Sequence, residues 1–275
     1  MAFDPSTLPS IREVIKNNGL VATKKLGQNF ILDSNVTDKI AKAGGTITAH
    51  HIIEIGPGPG GLTRSILSAD PLSLTAIEYD DRAIIALAPL QEASAGILKV
   101  IKADALNTDI KMIIPAPRII IANLPYNIST VLLLRWLRDL FEDQTSYDRL
   151  ILMFQKEVAE RITAAPNSPA YGRLAVMTSW LCKARILFEL PPSVFTPQPK
   201  VTSAIVEIIP RHNRTDKAKF ETMEKILAAG FGQRRKMIRS SMHDYKDHIE
   251  KMGIDSSRRA ETLSIEEFVK LAEII

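Results

Sequence analysis

Between residues 51 and 164 the chain alternates short apolar runs with amphipathic stretches. "HIIEIG" (51–56), "LTAIEYD" (74–80), "ILKVIKADAL" (97–106) and "RIIIANLP" (118–125) are rich in β-branched residues and end in Gly, Asp, Asn or Pro. Runs of this kind predict strands, the first and fourth of them buried. "GGLTRSILSA" (60–69), "RAIIALAPL" (82–90) and "STVLLLRWLRDL" (129–140) space their apolar residues as helices do, and "RLILMFQKEVAERITA" (149–164) begins as a strand and runs into a helix. Strand and helix in alternation require a mostly parallel sheet with helices on both faces, an α/β fold.

The flanks read differently. A short helix is predicted over 9–18 and another over 34–44, with Asp33 or Ser34 as N-cap and Gly44 as C-cap. A helix over 174–184 precedes strands at 185–191 and 203–210, separated by the proline-rich "PPSVFTPQPKVT". No long helix lies between those strands, so they form an antiparallel edge pair. Beyond Pro210 only helical patterns remain, which divides the chain into a domain over 1–210 and a smaller helical domain over 211–275.

Composition narrows the classes. The 275 residues carry a net charge of +4, and Cys182 is the sole cysteine. One cysteine excludes an internal disulfide and any cysteine-based metal centre, and fits a reducing cytoplasm. None of the histidines has metal-ligand spacing, apart from the adjacent His50 and His51, which point apart in a strand. No metal is expected. No apolar run reaches membrane-spanning length, and "MAFDPSTLPS" lacks the basic and apolar regions of a secretory signal. Trp136, Trp180 and Cys182 read as core residues. The cations of "QRRKMIR" (233–239), with Lys24 and Lys25, suit either a polyanion or a solvated face.

"EIGPGPGGLT" (54–63) follows a strand and opens a helix, with Gly56, Gly58 and Gly61 at dinucleotide-loop spacing. Glu78, 22 residues beyond Gly56, ends the next strand, where a carboxylate can accept from both hydroxyls of a ribose. A nicotinamide dehydrogenase fits this much. Pro57 and Pro59 weigh against it, because each removes an N–H that a pyrophosphate needs. A nucleoside without phosphates, such as S-adenosylmethionine, would not need those donors. Asp104, ending the third strand, can accept from an adenine amino group.

The fourth strand ends on Asn123, Leu124, Pro125 and Tyr126. An exocyclic adenine amine is a weak nucleophile, because its lone pair is delocalised into the ring. Two acceptors aimed at its N–H bonds favour the tetrahedral shape it needs to attack a methyl group. The Asn123 side-chain carbonyl and the Leu124 backbone carbonyl are such a pair. Pro125 biases Leu124 toward an extended backbone, and Tyr126 offers a stacking face. The competing reading is a plain turn with Tyr126 in the core.

Taken with "GQNFILD" (27–33), "IEYD" (77–80), "NLPYNIS" (123–129), "QKEVAERI" (155–162), "YGRL" (171–174) and "PPSVFTPQPKV" (191–201), these motifs resemble the ribosomal RNA adenine N6-dimethyltransferases, in particular the bacterial small-subunit branch. The resemblance runs in order from about 20 to 210 and its tail suits the family's C-terminal domain. It implies a Rossmann-like class I methyltransferase fold with a mostly parallel seven-stranded sheet and a small C-terminal helical domain. It implies transfer of methyl groups from S-adenosylmethionine to two adjacent adenines in a loop near the 3′ end of small-subunit rRNA. The expected partner is that rRNA within a pre-assembled or immature 30S particle, and a monomer is expected. Asn29, Ile31, Gly56, Glu78, Asp104 and Asn123 are expected to hold the cofactor. Phe195 matches the family's second aromatic, closing over the target base opposite Tyr126; a core role competes, and the loop's prolines favour presentation. A large-subunit adenine methylase of the resistance type and a non-catalytic RNA-binding assembly factor are the alternatives.

Overall fold

A computed structural model describes residues 3–20 and 28–275; Lys24, Lys25 and Gly27 lie outside the described residues. Helix α1 (Ile11–Asn17) is closed at its N-terminus by a capping box between Ser10 and Glu13. A two-residue strand β1 (Phe30–Ile31) leads to α2 (Ser34–Ala43), capped by Asp33 and Gly44 as the sequence predicts. Then come β2 (His51–Ile55), α3 (Gly61–Ser68), β3 (Ser73–Glu78), α4 (Asp81–Ala93) and β4 (Leu98–Lys102). A single turn of helix, α5 (Ile110–Ile113), precedes β5 (Arg118–Ala122), α6 (Ser129–Glu142), β6 (Arg149–Gln155) and α7 (Lys156–Thr163). Helix α8 (Arg173–Leu181), β7 (Cys182–Leu190), the short β8 (Phe195–Thr196) and β9 (Ser203–Pro210) complete the sheet region.

The main sheet has seven strands in the order β4-β3-β2-β5-β6-β9-β7. The first five run parallel; β9 lies antiparallel between β6 and β7. The edge strands are therefore antiparallel as expected, with β9 inserted beside β6. Chain order runs outward from β2 to β4 on one side and from β5 to β9 and β7 on the other. The reversal falls between β2 and β5, and the crevice outside such a switch point is where open α/β sheets bind ligands.

The predicted strands over 97–106 and 118–125 end earlier, at Lys102 and Ala122, and two further features depart from the sequence reading. The helix predicted over 174–184 stops at Leu181, because Cys182 pairs with Pro210 and the Arg211 N–H donates to the Leu181 carbonyl. Residues 182–184 thus join the strand, where tertiary pairing overrides local pattern. A second, two-stranded sheet was not predicted: β1 pairs antiparallel with β8, Phe30 opposite Thr196 and Ile31 opposite Phe195. Runs of two residues carry no period for a sequence to show.

Helices alone follow Pro210: α9 (Phe220–Gly232), α10 (Ile238–Ser241), α11 (Lys246–Lys251) and α12 (Ile265–Ile274). Their apolar faces join the cluster that covers one face of the main sheet, in which Ile53, Trp136, Phe154, Phe220 and Phe268 are all buried. Arg214 seals the junction, its guanidinium over the rings of Phe141 and Trp180 and its Nε 2.9 Å from the Asp216 carboxylate. A shared core predicts shared unfolding. Phe220→Ala, which empties a buried aromatic site, should lower stability by about 3–5 kcal/mol. Circular dichroism and tryptophan fluorescence should follow it in one coincident transition; two separate transitions would contradict a common core.

Candidate active site

The carboxyl ends of β2, β3 and β5 and the segment 28–31 surround a cleft of about 270 Å³. Asn29, Ile31, Gly56, Glu78, Asp104, Asn123, Leu124, Pro125 and Tyr126 all line it. Residues separated by nearly a hundred positions in the chain therefore share one wall. The switch point explains the meeting of the glycine loop and the 123–126 stretch, since β2 and β5 are neighbours. A Cβ on Gly56, whose φ is +66°, would lie 3.6 Å from Pro125 Cδ.

The glycine loop has a particular donor inventory. Gly56 N–H donates to the Ile77 carbonyl and Gly60 N–H to the Pro57 carbonyl. Gly58 N–H donates to Glu78 Oε2 at 3.2 Å. Pro57 and Pro59 have no N–H. From Gly56 to Gly60 no backbone donor is left for a pyrophosphate. What the loop provides is closeness: a Cβ on Gly61 would stand 3.0 Å from the Ile31 carbonyl, and one on Gly58 3.0 Å from the Phe30 ring.

Of the three acidic residues that line the cleft, Glu78 and Glu54 behave differently. Glu78 receives N–H donations from Gly58, Tyr79 and Asp80. Burial raises its pKa against the pull of those three bonds. Glu54, in β2 just before the glycines, is 2% exposed and its Oε2 has no hydrogen-bond partner. Burial pushes it up to about 8; the nearby Thr63 hydroxyl opposes this and the Glu78 charge adds to it. The sequence reading passed over Glu54. Its one signal is a carboxylate inside an otherwise apolar buried strand. Asp104 caps its own turn, accepting from the Leu106 N–H at 2.9 Å and the Asn107 amide at 2.8 Å.

Asn123 follows the last residue of β5, and its Nδ2 donates to the Asn29 carbonyl at 3.2 Å. An amide whose nitrogen is held by a carbonyl has its oxygen on the other side, because the flipped amide would set two acceptors face to face. The Pro125 carbonyl accepts from Ile128 N–H and the Tyr126 carbonyl from the Ser129 hydroxyl, while among the described residues the Leu124 carbonyl accepts no hydrogen bond. The Tyr126 phenol meets Ser203 Oγ at 2.6 Å. Tyr79, 66% exposed, adds a second ring at the cleft that the sequence reading did not single out.

Phe195 departs from expectation. The prolines around it favour presentation to a ligand, yet it is 2% exposed and is not among the cleft-lining residues. Pairing of β8 with β1 sets it opposite Ile31 and turns its ring into the apolar cluster with Ile31, Leu190 and Ile205. The cations at 234–239 are exposed, and Arg234 also donates to the Pro169 and Tyr171 carbonyls. Among the described residues no group of His, Cys, Asp and Glu side chains could hold a metal ion, and no helix is long and apolar enough to cross a membrane.

The raised pKa of Glu54 sets a pH dependence. The folded protein holds a proton that the unfolded chain releases near pH 4.5, so this stabilisation is whole at about pH 4 and is lost as pH rises through about 8. Thermal melts of the ligand-free protein from about pH 5 to about pH 8 should fall by several degrees more for the wild type than for Glu54→Gln. Equal slopes would contradict the assignment.

Comparisons with known proteins agree with one another on the family. Residues 19–275 match the family described as ribosomal RNA adenine dimethylase. The Ribosomal RNA small subunit methyltransferase A of Paramagnetospirillum magneticum is 49% identical over 271 residues, covering 98% of this chain and 95% of that protein. The protein of the same name from Brucella abortus is 50% identical over 272 residues, covering 97% of each. Among solved structures, a dimethyladenosine transferase from Plasmodium falciparum superposes with a TM-score of 0.71 at 26% identity, covering 87% of this chain and 94% of that one. The 23S rRNA methyltransferase ErmE shares the fold, with a TM-score of 0.68 at 23% identity over 89% of this chain and 98% of its own. The fold is thus the Rossmann-like methyltransferase fold, and the chain belongs to the ribosomal RNA adenine dimethylase family.

Proposed function

We propose that this protein dimethylates N6 of two adjacent adenines near the 3′ end of small-subunit rRNA, acting in the cytoplasm as a monomer on an immature 30S particle. Methyltransferases of this family take their methyl group from S-adenosylmethionine, and the residues present suit that donor. Its ammonium finds an unpartnered, buried carboxylate oxygen on Glu54. Its ribose meets Glu78, its adenine amine can donate to Asp104, and the glycines admit its methionine portion past Ile31. It has no phosphate to miss the absent N–H donors. When bound, the donor supplies an electrophilic methyl on a sulfonium.

The observation that carries the reading is the Asn123 amide fixed by the Asn29 carbonyl. Its Oδ1, with the Leu124 carbonyl, accepts from the two N–H bonds of a target amine and pulls the nitrogen toward a tetrahedral shape. Tyr126 carries the base in a stack, so that nitrogen and methyl carbon lie in line. Rate comes from positioning and from acceptors set before the reaction starts. A strong general base is unnecessary, because the proton leaves a nitrogen already made cationic. Phe195 supports the site from behind Ile31 in this reading. Arg235, Lys236 and Arg239, exposed on the helical segment over 211–275, contact rRNA phosphates and set affinity and salt dependence.

Asn123→Ala should lower the rate of methyl incorporation into undermethylated small subunits by at least about a hundredfold while leaving subunit binding within about threefold. Normal methylation by that variant would remove the catalytic assignment. Calorimetry in buffers of different ionisation enthalpy should show release of most of one proton when S-adenosylmethionine binds at about pH 7, because Glu54 must ionise to meet the ammonium. Glu54→Gln should abolish the release; no release from the wild type would exclude Glu54 as the ammonium partner.

A further inference from the structure

We propose that Ser203 is a positioning residue for methyl transfer, acting through the ring of Tyr126. The inference rests on the reading of Tyr126 as the base-stacking ring. Ser203 is the first residue of β9 and is 0% exposed. It stands opposite Gln155 of β6 and Leu190 of β7, so its backbone is pinned between two strands at the cleft end of the sheet. The Thr202 carbonyl, one residue earlier, accepts from Lys156 N–H at 2.9 Å and fixes the approach to the strand. The Ser203 hydroxyl is therefore a stationary point, and the Tyr126 phenol ends on it at 2.6 Å.

The geometry gives the bond a purpose beyond satisfying a half-buried phenol. The Tyr126 backbone is tied at the ring's near end, its carbonyl accepting from the Ser129 hydroxyl at 3.1 Å. The bond to Ser203 ties the far end. One side of the ring rests on the apolar cluster beneath it, and the residue lines the cleft. Because the phenol oxygen lies on the Cβ–Cγ axis, the bond fixes the tilt of the ring, while packing against the apolar cluster limits rotation about that axis; together they make the ring present one plane. In-line transfer is sensitive to displacements of about 1 Å, and the plane of the stacked base sets where its amine sits. Ser203 also heads the strand that follows the proline-rich loop, so the stacking plane depends on that loop being threaded correctly. A sequence alone shows Ser203 only as a small polar residue leading an apolar strand.

The test compares Ser203→Ala, Ser203→Thr, Tyr126→Phe, Tyr126→Ala and the Ser203→Ala/Tyr126→Phe pair, using purified small subunits lacking the methyl groups and saturating S-adenosylmethionine. Melting temperature and cofactor Kd are recorded for each. Ser203→Ala and Tyr126→Phe should each lower kcat about three- to tenfold, the size of one net hydrogen bond, with cofactor Kd unchanged. The pair should be no slower than either single change, and Ser203→Thr, which keeps the hydroxyl, should recover most of the rate. Full kcat for Ser203→Ala, or losses in the pair that multiply, would overturn the role of Ser203. A fully active Tyr126→Ala would instead overturn the stacking reading on which it rests.

Discussion

One hydrogen bond, from the Asn123 amide nitrogen to the Asn29 carbonyl, fixes which way the amide at the end of β5 points. The proposed chemistry depends on it, because the same side chain turned over would offer donors where that proposal needs acceptors. The bond in turn requires segment 28–31 to be in place. That segment is held on one side by pairing of β1 with β8 and approaches the glycine loop on the other so closely that a Cβ at Gly61 would crowd the Ile31 carbonyl. In the proposed reaction, glycine at 61 and the two-residue ladder at 195–196 thus bear on catalysis without touching a reacting atom.

The same parallel sheet can serve phosphates or a phosphate-free nucleoside, and the difference here is in the N–H groups. Two prolines delete donors, and Glu78 consumes a third by accepting from Gly58. The carboxylate that would hold a ribose also orders the loop that would hold the amino-acid end of the same ligand. Glu54 supplies the opposite property, a buried carboxyl whose pKa burial raises to about 8, and in the proposal it is the partner of the ligand's ammonium. The cleft is therefore arranged for a ligand that carries positive charge at one end and hydroxyls in the middle, as S-adenosylmethionine does.

Much of this was legible in the residues, for identifiable reasons. β-Branched runs broken by Gly, Asp or Asn marked β2, β3, β4 and β5, and the strand ends they marked are the cleft wall. "NLPY" stood out because a buried strand has no use for an amide and a proline at its close. Other features left no local trace. The burial of Phe195 follows from its pairing with Ile31, a contact between residues 164 positions apart that no period encodes. The start of β7 at Cys182 is set by Pro210 across the ladder and not by its neighbours in the chain. The state of Glu54 depends on how completely its surroundings exclude water, and that is a property of the packed core.

The helical segment after Pro210 closes the apolar face that α6 and α8 leave open, so the sheet that carries the site and the helices that carry the exposed cations form one packed unit. The central claim concerns the orientation of a single amide beside a bound nucleoside. A crystal structure with S-adenosylhomocysteine tests it most directly. The account predicts the ribose hydroxyls on Glu78, the ligand's sulfur facing Asn123, and Asn123 Nδ2 still donating to the Asn29 carbonyl. A ligand seated away from the 123–126 stretch, or an Asn123 amide nitrogen turned toward the sulfur, would contradict it.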